Sequence, residues 1–600
     1  MCGILAALST DQIWDKDQFK KARDTLYHRG PDDAGAEFLK DGFVALGHRR
    51  LSILDLSSSG RQPMQVDQLW IVFNGEIYNY KELRLILESK GFCFKSDCDT
   101  EVLLHGYKYW GKNLCDKLSG MFSFVIWNNQ DSSLFCARDP IGQKPLYYAN
   151  FNNSLILASE IKAIKALTGH NFRMRRESFH EFLVYDYIPG SSTWFEGIFE
   201  LPPGHQMLVQ SDNRNIISHK QRYWNFQPDP QPLKVSKAHA SSILAESISD
   251  SVSNHLQSDV EVGSLLSGGL DSNCVTFEAS RILGSGLKTF CVGFNADTES
   301  ETKEAANSSR ILNCDHHEEI ITNSNIEDAL KRSLRLFDQP FGDPSQLPTW
   351  SIAKVASQKV KVVLTGDGGD EVFGGYWSYG QYSSFPPFDF SSIQRFLNSV
   401  RIRRLGLKTW QNLHENFTHF STLNPEVLKI LNPEYHIEDG YWYFRRYNIT
   451  NLDIFRRSQW VDIKSYLPGS ILEKVDRCTM AHSLEARPPL LERRLLERIF
   501  SLPVEITNPK GEYKSLLRKS YRKKIRSSIL KAPKKGFAGP DKFWTDICKH
   551  EIAKEALETL IKLGFIAPNA EKLVKNNFRI IWRLMLVYLS ITEGYFSGIR

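Results

Sequence analysis

The sequence predicts two domains of different architecture. Residues 2–215 read as an α+β domain with stacked sheets, and residues 237–600 as an α/β domain with a parallel sheet and a helical extension. Three observations lead there. The chain has 600 residues, more than one hydrophobic core serves. Its first 150 residues or so are rich in short β-type runs broken by glycine, proline and asparagine. Beyond residue 237, apolar runs alternate with helical segments, as in a doubly wound sheet.

Each element has its own signal. Phe43–Leu46, Leu69–Phe73 and Met121–Trp127 are apolar runs of strand length, and Asn79–Lys90 and Thr100–Trp110 carry helical periodicity. Residues 216–236 form the expected linker, with the polar, proline-rich Asn225–Pro232 at its centre. Val260–Leu266, Lys288–Phe294 and Val360–Thr365 are the expected strands of the parallel sheet. From about residue 380 the chain is expected to be mostly helical, with an Arg- and Trp-rich insert. Ile580–Ile591 is the most membrane-like run, but it is short and contains Arg583, so it reads as a buried C-terminal helix.

Composition narrows the function classes. Hydrophobic residues make up 42% and charged residues 24%, ordinary for a soluble globular protein. The net charge of +6 is mild for this length; it suits anionic ligands and does not point to nucleic acid. No signal peptide opens the chain. The ten cysteines are scattered with no Cys-x-x-Cys pair, which predicts reduced thiols in a cytoplasmic protein and no zinc site.

Two stretches carry chemistry. Removal of Met1 would leave Cys2 with a thiol and a free α-amine on one residue. Such an amine has a reference pKa of about 7.7–8.0. It is partly neutral at cellular pH and takes the thiol proton without help from a histidine. The second stretch is Ser267-Gly268-Gly269-Leu270-Asp271-Ser272, between the apolar run Glu261–Leu266 and the helical Cys274–Leu283. Glycines let backbone N–H groups approach an anion, and a helix N-terminus adds its dipole. Asp271 would repel phosphate unless a cation lay between them, which predicts Mg²⁺. The loop lacks the lysine of a Walker A motif, so γ-phosphoryl transfer is disfavoured. A second glycine-rich turn, Thr365-Gly366-Asp367-Gly368-Gly369-Asp370, follows the apolar Val360–Leu364.

The ordered blocks His28-Arg29-Gly30-Pro31-Asp32, His48–Ile53, Gln62-Pro63-Met64, Phe73–Asn79, Asp97–Glu101 and Ala137–Gly142 resemble the class II glutamine amidotransferase domain of glutamine-hydrolysing asparagine synthetases. The resemblance covers nearly all of residues 2–165. It implies an N-terminal-nucleophile αββα fold. It also implies that Asn74 and Gly75 form an oxyanion hole, that Arg50 pairs with the glutamine carboxylate, and that Glu76 and Asp99 receive its ammonium. Ile53 belongs to the same glutamine-binding stretch.

The Ser267–Ser272 loop resembles the pyrophosphate loop of ATP pyrophosphatases, which transfer AMP and hold the leaving pyrophosphate. By that resemblance Leu266 and Val292 hold adenine through their backbone, Thr365 and Gly366 lie beside ATP, and Asp271 and Asp370 are associated with the metal. Asp367 acts near the acceptor amine or ammonia, in a position where the best-known bacterial enzymes have Glu. Lys514 lies against the α-phosphate and neutralises charge in the transition state. Ser483–Glu492 resembles the family segment Glu-Ala-Arg-Val-Pro-Phe-Leu-Asp, departing from it at Pro488, Leu490 and Glu492. It puts Arg487 near the acceptor site, with packing as its other reading.

The implied reaction uses glutamine, ATP and a carboxylate acceptor, L-aspartate by default. Ammonia freed at Cys2 attacks an acyl-adenylate. Another carboxylate, such as a sugar uronic acid or a peptide, is the alternative, since Asp338–Pro344 resembles a subgroup with such acceptors. Cys2 argues against β-lactam-forming relatives, which lose the nucleophile. No nucleic acid or membrane partner is expected, and a homodimer is allowed.

Overall fold

Strand β1 (Gly3–Ser9) shows why the first domain forms layers. Its Ile4, Ala6 and Leu8 face one apolar core, while Leu5 and Ala7 face another. Both faces are buried, so the strand is apolar throughout instead of alternating with polar residues. The computed structural model describes residues 1–212, 215–229, 232–294, 301–321, 326–376, 378–379, 429–437, 442–447, 449, 451–532, 546–574 and 577–597. The Arg- and Trp-rich insert expected after residue 380 lies largely outside the described residues.

The remaining strands of the first domain are β2 (Asp33–Leu39), β3 (Val44–Arg50), β4 (Met64–Val66), β5 (Leu69–Ile77), β6 (Gly120–Asn128), β7 (Ser133–Arg138), β8 (Tyr147–Phe151), β9 (Ser154–Ala158), β10 (Ile198–Glu200), β11 (His205–Asp212) and β12 (Asn215–Arg222). They form two six-stranded antiparallel sheets, ordered β10-β8-β9-β1-β3-β2 and β12-β11-β7-β6-β5-β4. Ile4 and Leu46 of one sheet meet Val72, Val125 and Trp127 of the other in the core between them. The outer face of the first sheet is covered by helices Lys16–Asp24 and Ile161–Thr168, through Phe19, Ala22 and Ile164. Helices Tyr80–Glu88 and Asp99–Trp110 cover the second, through Leu83, Leu87 and Val102 packed on Phe122 and Phe124. The layering is therefore αββα. Strand β12 pairs with β11 from Asp212↔Asn215 to His205↔Arg222, so the stretch expected as linker begins as sheet. A run as polar as Asn215–Arg222 stays in the ladder because it is an edge strand with most side chains in solvent.

The second domain has strands β13 (Val262–Leu265), β14 (Lys288–Phe294), β15 (Asp315–Ile321), β16 (Val362–Leu364) and β17 (Glu485–Arg487). They form one parallel sheet ordered β15-β14-β13-β16-β17. The chain runs outward from β13 through β14 to β15, then returns to the other side of β13 as β16. That reversal opens a crevice beyond the carboxyl ends of β13 and β16, where open α/β sheets bind ligands. Both glycine-rich turns leave from those ends.

Helix Phe578–Thr592 is buried, as its sequence predicts. Arg583 is paired with Asp186 and donates to the Leu183 carbonyl oxygen, which accounts for a cation among apolar residues. No helix among the described residues is long and apolar enough to cross a membrane.

Candidate active sites

The first site lies at the start of β1. Cys2, Arg50, Ile53, Gly75, Glu76 and Asp99 line one pocket, part of it open to solvent. Sequence-distant blocks meet here because the start of β1 lies beside the ends of β3 and β5, and the helix beginning at Asp99 points its first turn at them. The Cys2 N–H donates to Asn74 Oδ1 at 2.9 Å. Asn74 is fully buried, and its Nδ2 has no hydrogen-bond partner among the described residues. A buried amide donor left open beside a thiol is the feature an oxyanion requires. Gly75 permits the close approach of β5 to β6, since a Cβ there would lie 2.1 Å from the Met121 carbonyl oxygen.

The Arg50 guanidinium donates to the carbonyl oxygens of Ser57 at 2.9 Å and Leu54 at 3.3 Å, and to that of Asp55. These neutral acceptors fix the fork in the pocket wall, and no carboxylate among the described residues forms an ion pair with it. Asp99 accepts from the Ile77 N–H at 2.9 Å, and burial pushes its carboxyl up to about 6. Burial also raises Glu76 well above the usual carboxylate range, against the opposing pull of Arg487. Burial raises the Cys2 thiol as well. Met1 is present, its ammonium 2.8 Å from Glu485 Oε2, so the Cys2 nitrogen is an amide. The α-amine base expected on Cys2 therefore belongs to the chain after Met1 is removed.

The second site lies in the crevice of the parallel sheet. Ser267 Oγ accepts from the Gly269 N–H at 3.1 Å and contacts Ser272 Oγ at 3.0 Å. Asn273 Nδ2 donates to the carbonyl oxygens of Ser267 at 2.9 Å and Gly269 at 2.7 Å. These bonds hold the loop in a tight turn whose lip, Gly268 and Gly269, faces outward. The turn after β16 packs directly on it, because a Cβ at Gly366 would lie 2.7 Å from Ser272 N.

Lys514 reaches across from the start of helix Ser515–Ser520 and pairs with Asp271, and with Asp370 at 2.6 Å. Those carboxylates push its ammonium up. Leu266 donates its N–H to the Phe290 carbonyl oxygen at 2.8 Å, which sets it beside β14, where Val292 is buried. The Thr365 N–H donates to the Arg487 carbonyl oxygen at 2.9 Å. Asp367 follows on the same turn and raises the pKa of Lys474 together with Asp343, which lies 3.1 Å from the Lys474 ammonium.

Comparison with known proteins decides the family. Residues 244–583 match the family described as asparagine synthase, and residues 1–224 match the glutamine amidotransferase domain. The chain is 34% identical over 565 residues to asparagine synthetase [glutamine-hydrolyzing] 1 of Bacillus subtilis, covering 91% of this chain and 88% of that one. The chain belongs to the glutamine-hydrolysing asparagine synthetases. A putative asparagine synthetase [glutamine-hydrolyzing] of Mycobacterium bovis is 31% identical, over the same shares of the two chains. An amidase, chry2, of Gibberella zeae is 27% identical, covering 94% of this chain and 93% of its own.

In this asparagine synthetase family member, the structure chooses between two readings of one residue. Arg487 reads in sequence as near the acceptor or as packing, and its surroundings fit packing: Nη1 donates to the His255 and Gln257 carbonyl oxygens of its own domain while Nη2 faces the first domain. The residue pairs with Glu485 and lies 3.2 Å from Glu76 Oε1, because β17 is the sheet edge against that domain. Three functional candidates escaped the sequence reading. Arg29 donates from Nε to the Cys2 carbonyl oxygen at 3.1 Å and pairs with Asp476 at 2.8 Å and Glu160 at 2.9 Å. Its signal was present in the His28–Asp32 block. Lys474 and Asp476 sit on helix Glu473–Met480 and are buried, Asp476 against Arg29 of the first domain and Lys474 against Asp343 of its own. Mg²⁺ has two carboxylates, Asp271 and Asp370, on offer. No cluster of three or more metal-ligating side chains occurs among the described residues.

Proposed function

We propose that the protein makes asparagine from L-aspartate, glutamine and ATP. The observation that carries the proposal is the pairing of a buried thiol under an open amide donor with a glycine-loop crevice holding Lys514 between two carboxylates. With Met1 removed, the Cys2 amine takes the thiol proton and the thiolate attacks the glutamine side-chain amide. Asn74 Nδ2 and the Gly75 N–H stabilise the oxyanion. Arg50 takes the glutamine carboxylate, and Glu76 with Asp99 the ammonium. The adduct collapses with C–N cleavage, the Cys2 ammonium returns its proton to the leaving nitrogen so that ammonia departs, and the thioester left on Cys2 is then hydrolysed by water to glutamate.

At the second site the Ser267–Ser272 loop holds the β- and γ-phosphates, and the backbone at Leu266 and Val292 holds adenine. Lys514 neutralises charge on the α-phosphate as the acceptor carboxylate displaces pyrophosphate. Asp271 and Asp370 fit Mg²⁺, since that ion is usually held by one or two carboxylates plus substrate phosphates. When bound, it would offset pyrophosphate charge. Asp367 lies on the acceptor side and takes a proton from the attacking ammonia. Ten free cysteines suit a reducing cytoplasm.

The test is an assay of purified protein with ATP, glutamine and a panel of carboxylates. Asparagine, AMP and pyrophosphate are expected with aspartate. ADP and phosphate would overturn adenylation. Saturable AMP release with a uronic acid and none with aspartate would move the acceptor to the other class.

A further inference from the structure

Strand β17 belongs to the sheet that carries the phosphate crevice, yet its two charged side chains lie against the other site. Glu485 takes the chain's amino terminus at 2.8 Å. Arg487 is fully buried and donates from Nη1 to the carbonyl oxygens of His255 at 2.8 Å and Gln257 at 2.7 Å. Its Nε bonds Glu485. Its Nη2 lies 3.2 Å from Glu76 Oε1 but makes no hydrogen bond among the described residues. Three anchors thus fix the guanidinium plane and leave Nη2 as a buried ion-pair contact, without a hydrogen bond among the described residues, to a carboxylate of the glutamine pocket. The backbone of the same residue holds the phosphate-side turn, through the Thr365 N–H at 2.9 Å.

We infer that β17 supplies a positioning residue, Arg487, to the glutamine site of the other domain, where it orients Glu76 toward the glutamine ammonium. This rests on the reading that Cys2 hydrolyses glutamine. The geometry gives a direct route between the sites. A shift of the Thr365–Asp370 turn moves Arg487, and Arg487 carries Glu76 with it. A dry, low-dielectric setting makes that contact sensitive to small displacements.

The experiment compares Arg487→Gln, Arg487→Lys, Glu76→Gln and the Arg487→Gln/Glu76→Gln double variant with the wild type. Glutaminase kinetics are followed across pH, and ammonium-dependent AMP release is measured beside them. Arg487→Gln is expected to raise KM for glutamine by about ten-fold or more, the cost of one charge-assisted contact, with a smaller change in kcat. Arg487→Lys keeps the cation without the fork and is expected to fall between. In the Glu76→Gln background, Arg487→Gln is expected to add little, because its effect passes through Glu76.

Glu76 is faced by Arg487 and Glu485 from β17, by Asp99 from its helix and by the amino terminus. Loss of the Arg487 cation is therefore expected to move the acid limb of kcat/KM to higher pH, and Glu76→Gln to abolish that movement. Unchanged KM in folded Arg487→Gln and Arg487→Lys would overturn the inference. So would additive effects in the double variant, or equal loss of both activities. A wild type that hydrolyses no glutamine would instead sink the reading beneath it.

Discussion

At the scale of single residues, burial governs the glutamine site. Asn74 is held by one bond through Oδ1, so its Nδ2 direction is set before any ligand arrives. Asn74→Ala removes that donor and is expected to lower glutaminase kcat by about 10²–10³. A steady-state assay checks this, with ammonium-dependent AMP release kept as the control. Cys2→Ala is expected to abolish glutamine hydrolysis outright and to spare ammonium-dependent synthesis, because the two chemistries occupy different sheets. Loss of both in a folded variant would contradict that division. The acid side of the pH profile follows from Glu76 and Asp99 together, both raised by burial, Asp99 to about 6. Below that pH Asp99 is protonated and cannot pair with an ammonium. KM for glutamine is expected to rise as pH falls through about 6, and Asp99→Asn to flatten part of that rise. The same shift has a stability sign. A carboxyl raised on folding contributes stability present below its unfolded pKa and lost as pH climbs through the folded value.

At the scale of elements, the two glycine-rich turns form one surface. A Cβ at Gly369 would lie 2.4 Å from Asp271 Cγ, and one at Gly375 would lie 1.9 Å from Asp370 Oδ1 and 2.3 Å from Lys514 Cε. Gly375→Ala must push Asp370 away from Lys514. Its AMP release is expected to fall by about two orders of magnitude, the scale set by misplacing a group about 1 Å, while glutaminase activity persists. Parallel assays of the two half-reactions decide it. These turns were legible in sequence because glycine spacing, an apolar run before and a helix after leave few alternatives. The strands read in the first domain were legible for a different reason: β5 and β6 are buried along most of their length, and continuous apolar runs result. Strand β12 was not legible, because a solvent-facing edge strand has linker-like composition. Nor was β17, three residues long and dominated by two charges. Its side chains are explained by partners from a different domain, and no local pattern encodes a partner hundreds of positions away. The contact of Arg487 with Glu76 was missed for that reason, although the motif around it was read.

At the scale of the molecule, the domains meet across buried charge. Arg29 grips Asp476 with Nη1 at 2.8 Å and Nη2 at 3.1 Å, and shares Glu160 with Arg477, which lies 3.2 Å from it. Lys162 adds a contact to Glu160 at 2.8 Å and to Asp338 at 3.3 Å. Such clusters contribute little net stability relative to apolar packing, but breaking one partner is costly. Their value here is geometric, since Arg29 also holds the Cys2 carbonyl oxygen and Asp476 sits on the helix that carries Lys474. The thiol site and the helix that carries Lys474 therefore share one rigid, directional contact. Asp476→Asn keeps the shape and removes the charge. It is expected to destabilise the fold by about 3 kcal/mol, the low end for a broken buried pair because Glu160 still faces Arg29. Arg29 holds the Asp476 carboxyl below the usual range. That stability is present above the unfolded pKa and lost as pH falls through the lowered one, so the variant's deficit should shrink in acid. Urea denaturation at several pH values tests this half. The functional half is coupling. With Arg29 loosened, ammonia released at Cys2 should escape more often, and glutamate formed per AMP should rise well above the wild-type ratio. A variant that loses stability yet keeps the wild-type ratio would reduce this cluster to a structural clasp.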